Sequence, residues 1–213
     1  MTTHLASVLA FVLACAGCDG VPAQESRVLT CADVFGPGAS AESLAAVFGP
    51  ANVTHEDLRF PEGETMPGTV LFAGRPPDRV EILWKDQQAR RRPDAVMVRM
   101  WDISARSRWR TPEGVTLGAD LNAVEQLNGR PFVLLGFGWD YEGGVASWDG
   151  GRLDADQRGG CRLGLRFTVG DIGPDPARQR WFSEASGDME FTSSHAAMQG
   201  LRPVVRELIL RYE

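Results

Sequence analysis

The sequence predicts an α+β fold: two tandem helix-plus-antiparallel-sheet repeats of about 80 residues each. Three observations predict it. The stretch from Gly38 to Gly49 returns in kind, without a gap, from Gly118 to Gly129. Strand-like apolar runs split by glycine and proline turns follow each copy. An Arg-Pro pair, Arg92-Pro93 or Arg202-Pro203, precedes the last run of each unit.

Each repeat opens with a short helix. Ser40 and Asp120 stand where an oxygen-bearing side chain can accept from the free N–H groups of a first helical turn. Leu44 and Val47 in the first copy, and Val124 and Leu127 in the second, give each helix one apolar stripe. Gly49 and Gly129 close the helices, and Pro50 and Pro131 follow soon after.

The strands come next. In the first unit they are expected over residues 69–72, 80–84 and 95–100, with a turn over 74–78. In the second they fall over residues 132–135, 145–148 and 161–167, separated by Gly143-Gly144 and Gly150-Gly151. The closing run 204–212 also scans as a helix, but its leading proline and β-branched start favour a strand. Residues 168–200 read as a long excursion, with a short helix near Ser194 to Met198. Residues 24–104 and 105–213 are therefore the two repeats, after a leader over 1–23.

That leader is an export signal. Leu5 to Ala16 is apolar or small throughout, too short for the roughly 20 residues of a membrane-spanning helix and suited to a secretory signal. Cys15 and Cys18 at its end resemble the lipobox of bacterial lipoproteins. Cys18 is the preferred lipidated residue and Cys15 the alternative; cleavage after Ala23 would instead release a soluble periplasmic or secreted protein. Downstream only Cys31 and Cys161 remain, and an oxidising envelope favours their pairing. Membrane association is expected through the lipid anchor only.

Net charge is −6 with no long basic stretch, which excludes a nucleic-acid surface. Arg90-Arg91-Arg92, the densest basic cluster, reads as a solvated turn rather than a phosphate site. His55-Glu56-Asp57 reads as a solvated loop rather than a metal site. His195 stands beside Ser193 and Ser194, yet no Gly-x-Ser-x-Gly elbow surrounds a serine. The acids Asp140, Glu142, Asp149, Asp154 and Asp156 lack calcium-loop spacing. No catalytic residue, metal ligand or cofactor is assigned.

Trp-Asp occurs at Trp101-Asp102, Trp139-Asp140 and Trp148-Asp149. Trp139, Asp140, Tyr141, Trp148 and Asp149 form the candidate binding surface, because large rigid aromatics among glycines suit a sugar ring or a protein partner. Alternate residues Phe137, Trp139 and Tyr141 would equally fill a core.

Gly38, Leu44, Gly49 and Pro50, with Gly118, Val124, Leu127, Gly129 and Pro131, carry a family resemblance over most of residues 30–167. The pattern is similar to the β-lactamase-inhibitor-protein-like fold shared by the small outer-membrane assembly lipoproteins of the BamE (SmpA/OmlA) type. It departs from them in lacking a Gly-Met-Thr start and in holding two copies where they carry one. The resemblance implies a non-catalytic module whose partners dock on an open sheet or its loops. The expected partner is an envelope protein or, alternatively, a carbohydrate such as peptidoglycan; a hydrolase is the third reading.

Overall fold

The computed structural model describes residues 27–100, 107–155 and 160–213. The export signal with Cys15 and Cys18, the Trp101-Asp102 pair and Asp156 lie outside the described residues. The fold is α+β.

In chain order, β1 (Arg27–Val28) leads to α1 (Ala41–Phe48), then to β2 (Val53–Arg59), β3 (Thr65–Leu71), β4 (Val80–Asp86) and β5 (Arg91–Arg99). After β6 (Trp109–Arg110) come α2 (Leu121–Asn128), β7 (Val133–Leu135), β8 (Val145–Ser147) and β9 (Cys161–Thr168). The chain ends with α3 (Pro176–Glu184), β10 (Glu190–Thr192), α4 (Ala196–Leu201) and β11 (Val204–Tyr212).

Both repeat helices form where their caps place them. The Ser40 hydroxyl accepts the Ser43 N–H at 3.1 Å, and the Ser43 hydroxyl accepts the Ser40 N–H at 2.9 Å. Asp120 Oδ1 accepts the Ala123 N–H at 2.8 Å. Gly49 (φ 87°) and Gly129 (φ 82°) end the two helices in backbone that suits glycine. The expected stripes hold only in part. Leu44, Leu121 and Val124 are buried, whereas Val47 is 63% exposed because eight residues give α1 one inward row.

The strands after the two helices do not match. Four consecutive antiparallel strands follow α1, and all lie in a six-stranded sheet ordered β2-β3-β4-β5-β11-β9. After α2, β7 and β8 pair instead within a separate three-stranded sheet, β10-β7-β8. Only β9 and β11 reach the large sheet. The two halves meet where β5 pairs with β11, from Glu207 opposite Arg99 to Arg211 opposite Ala95.

Two segments differ from their expected form. Val53–Arg59, expected as a loop around His55, is an edge strand paired along its whole length with β3. The excursion over 168–200 contains α3, β10 and α4. Gly200 lets α3 and α4 approach, since a Cβ there would lie 2.4 Å from the Trp181 ring.

The inner face of the large sheet holds the main core. Leu71, Ile82, Trp84, Val96, Val98, Leu163, Leu165, Phe167, Leu208 and Leu210 join Phe35, Leu44, Val124 and Phe132 there. A disulfide joins buried Cys31 to buried Cys161, with Cα atoms 5.9 Å apart, tying the N-terminal arm to the start of β9. The Tyr212 hydroxyl donates to the Phe35 carbonyl beside it. The outer face has its own small cluster of Leu58, Val70, Leu83, Ala95, Met97 and Ile209. Gly68 seats Leu58, because a Cβ there would fall 2.4 Å from Leu58 Cδ1.

Candidate functional site: a trough on the outer face of the sheet

Period-two alternation sends every second residue of β4, β5, β11 and β9 to the outer face. Register aligns them in rows. Arg99, Glu207 and Arg166 stand side by side across three strands, and Glu81, Met97, Ile209 and Gly164 form the next row. Leu83, Ala95, Arg211 and Arg162 make the third.

Above these rows lie two concavities of about 410 and 400 Å³. They share Phe60, Pro61, Arg99, Arg166 and Glu207, so they form one continuous trough. The turn after β2 supplies one wall through Phe60, and the loop after β7 supplies the other through Trp139 and Tyr141. The apolar floor is Leu83, Ala95, Met97 and Ile209.

Arg99 and Arg166, the arginines common to both concavities, are each paired with a carboxylate. Glu81, 1% exposed, lies between Arg79, at 2.9 Å, and Arg99. Arg99 also donates to the Arg59 carbonyl at 2.8 Å and stacks over Phe60 at 5.1 Å. Arg166 lies 3.5 Å from Glu207, donates to the Asp140 carbonyl at 3.1 Å and sits over Tyr141 at 5.9 Å. Burial lowers the Arg166 pKa; Glu207 opposes that shift, while Arg206 and Arg211 add to it. Arginine nonetheless stays charged in a protein, so this is a rigid, partly desolvated cation. Pairing makes a charged face tolerable beside an apolar floor.

The Trp139 loop is held from below. Gly138, at φ 83°, donates its N–H to Glu142 Oε2 at 3.0 Å, and Glu142 Oε1 pairs with Arg206 at 3.1 Å. Trp139 donates its indole N–H to the Gly136 carbonyl at 3.1 Å and meets Tyr141 edge-on at 5.5 Å. Tyr141 is 49% exposed, and Met66, at the other end of the trough, is 40% exposed.

The five residues singled out from the sequence therefore separate. Trp139, Asp140 and Tyr141 border the trough. Trp148 is buried in the main core, its ring tilted against Phe132 at 5.2 Å and its indole N–H donating to the Leu163 carbonyl at 2.9 Å. It offers no ring to a ligand. Asp149, in the turn after β8, pairs with Arg130 at 3.1 Å. Phe137, Trp139 and Tyr141 do not share a strand face: Phe137 is buried, Trp139 half-buried and Tyr141 exposed, along a loop. Phe60, Met97, Arg99, Arg166, Glu207 and Ile209 were not singled out, although Ala95-Met97-Arg99 and Glu207-Ile209-Arg211 carry the signal in their alternation.

The other sequence candidates have local partners. The Ser193 hydroxyl is buried and donates to Glu125; His195 Nδ1 accepts the Ala197 N–H at 3.3 Å at the start of α4. Asp154 accepts the Gly150 N–H at 3.2 Å. Among the described residues, no group of three or more His, Cys, Asp or Glu is placed to hold a metal ion, and no helix is long and apolar enough to cross a membrane.

Comparison with known proteins gave no match. No family model, curated protein or solved structure is similar to this chain.

Proposed function

We propose that this chain is a non-enzymatic module of the bacterial envelope, anchored through lipidated Cys18, that binds a protein partner in the outer-face trough. The observation that supports it most is the trough itself. An apolar floor, aromatic walls and the paired Arg99 and Arg166 make the mixed surface that protein interfaces favour, with Tyr, Trp and Arg as anchors. Two of the exposed large apolar side chains, Met66 and Tyr141, flank this one concavity. The resemblance to the assembly lipoproteins points the same way, since it implies docking on an open sheet. On this reading the two helix-plus-strand units are diverged copies, the second having moved β7 and β8 off the shared sheet.

A carbohydrate ligand is the second reading, and the Trp139–Tyr141 pair favours it. One experiment separates the two. The soluble domain and its Met97→Glu and Tyr141→Ala variants are tested for retention of envelope proteins and, separately, of peptidoglycan. The proposal expects a discrete protein partner that Met97→Glu abolishes, with Val47→Glu on α1 as the unaffected control. Peptidoglycan retention lost with Tyr141→Ala but kept with Met97→Glu would favour the glycan reading. A partner kept by all three variants would overturn the trough as its site.

A further inference from the structure

A second cleft, on the opposite face of the sheet, has three polar side chains, Asp57, Gln87 and Arg90, that are not matched to one another. It measures about 250 Å³ and lies against β2, β3 and the β4–β5 turn, bordered by His55, Glu56, Asp57, Pro67, Gln87 and Arg90, with the Glu56 carboxylate paired to Arg79 at 3.2 Å. His55 and Asp57 share one face of β2, a two-residue step apart.

The orientation of His55 follows from what lies beneath it. Thr69 is fully buried, and its hydroxyl oxygen accepts the Trp84 indole N–H at 2.8 Å. An indole nitrogen only donates, and the buried Thr69 hydroxyl has no other acceptor for its proton among the described residues, so that proton is assigned to His55 Nδ1, at 3.1 Å. Nδ1 therefore accepts, and the ring proton sits on Nε2, which points away from Thr69. Desolvation first, and then the charge of Arg90, lower the His55 pKa, which keeps this ring neutral and its Nε2–H a donor at neutral pH.

Arg90 sits in the left-handed region, at φ 49°, where glycine is the usual residue. Its carbonyl accepts the Ala41 N–H at 3.0 Å, which fixes the turn against α1. The turn conformation alone does not call for an arginine. The guanidinium of Arg90, the amide of Gln87 and the carboxylate of Asp57 have no ion pair or side-chain hydrogen bond among the described residues.

We propose that this cleft binds inorganic phosphate as a hydrogen-phosphate ion, which keeps a P–OH group at neutral pH. Arg90 supplies the cation, His55 Nε2–H and the Gln87 amide donate to the unprotonated oxygens, and Asp57 accepts the P–OH proton. Sequence alone favoured a solvated turn at Arg90 to Arg92. Its placement beside an oriented imidazole N–H and a carboxylate separates the cleft from an ordinary basic turn. Asp57 sets the specificity, because sulfate has no proton to give it at neutral pH and would leave two anions facing each other.

The test is titration of the disulfide-intact protein with inorganic phosphate, a phosphomonoester and sulfate, followed by the NMR signals of His55 Nε2 and the Trp84 indole. Saturable phosphate binding is expected, tighter than about 10 mM, with sulfate weaker by about tenfold or more. A phosphomonoester, mostly an unprotonated dianion at neutral pH, should bind more weakly than free phosphate, and tighter binding of the monoester would overturn the role given to Asp57. Arg90→Gly should abolish binding while unfolding no more readily than the parent, because glycine relieves the left-handed backbone. Asp57→Asn should bring phosphate and sulfate to similar affinity. Equal binding of sulfate by the parent, phosphate binding that survives Arg90→Gly, or no saturable binding would each overturn the site.

Discussion

Trp148 and Tyr141 show how differently two aromatics of one segment are used. Trp148 fills the core and spends its indole N–H on a carbonyl, so Trp148→Ala should cost about 3–5 kcal/mol in urea unfolding. Tyr141→Ala should stay within about 0.5 kcal/mol, because half of that ring already meets water. The reverse ranking would mean that the Trp148 site is not core. Tyr212 supplies a pH test. Burial raises its pKa, so the folded state keeps its proton after the unfolded chain begins to lose it near pH 10. Its contribution is complete below that pH and is lost as pH rises above it. Tyr212→Phe should therefore flatten the fall of stability between about pH 9 and 11 relative to the parent. An unchanged slope would remove this assignment.

Capping and close approach shape the elements. Asp120→Ala should destabilise by about 1 kcal/mol through loss of its cap to α2, and Ser40→Ala by a similar amount at α1. Gly68→Ala should cost about 1–3 kcal/mol, since its Cβ would meet Leu58 and the Ile82 carbonyl. Gly164→Ala, whose Cβ finds only ordinary contacts, should be far milder, and thermal unfolding of the pair checks this contrast. Elements with a cap or a clear local signal were legible in the sequence: α1, α2, the alternating run of β9, and β11 through its leading proline and β-branched start. β2 was not, because Val53–Arg59 is an edge strand with water on much of both faces and so shows little apolar alternation. α3 was hidden for a similar reason; it buries no residue fully and begins at a proline that also reads as a turn.

At the scale of the whole molecule, the sequence shows the two helix starts but not how their strands are shared. Insertion of β11 between β5 and β9 brings residues near 97, 164 and 209 into one row, and no local pattern announces such a meeting. Half of the candidate surface was legible for that reason: the Trp139–Tyr141 wall is local, while the floor is assembled across the chain. The Cys31–Cys161 bridge spans 130 residues of sequence. Replacing both cysteines with serine should cost about 4–5 kcal/mol in the chain-entropy account, read as a lower urea midpoint. An unchanged midpoint would show that the bridge constrains little.

The proposed binding face is tested most directly by site-specific photocrosslinking in intact cells of the source organism. A crosslinker replacing Tyr141 or Met66 should trap the same discrete partner, while one at Met189, equally apolar and 62% exposed but outside the trough, should trap none. Capture from Met189 alone, or different partners from Tyr141 and Met66, would contradict a single docking trough on the outer face of the sheet.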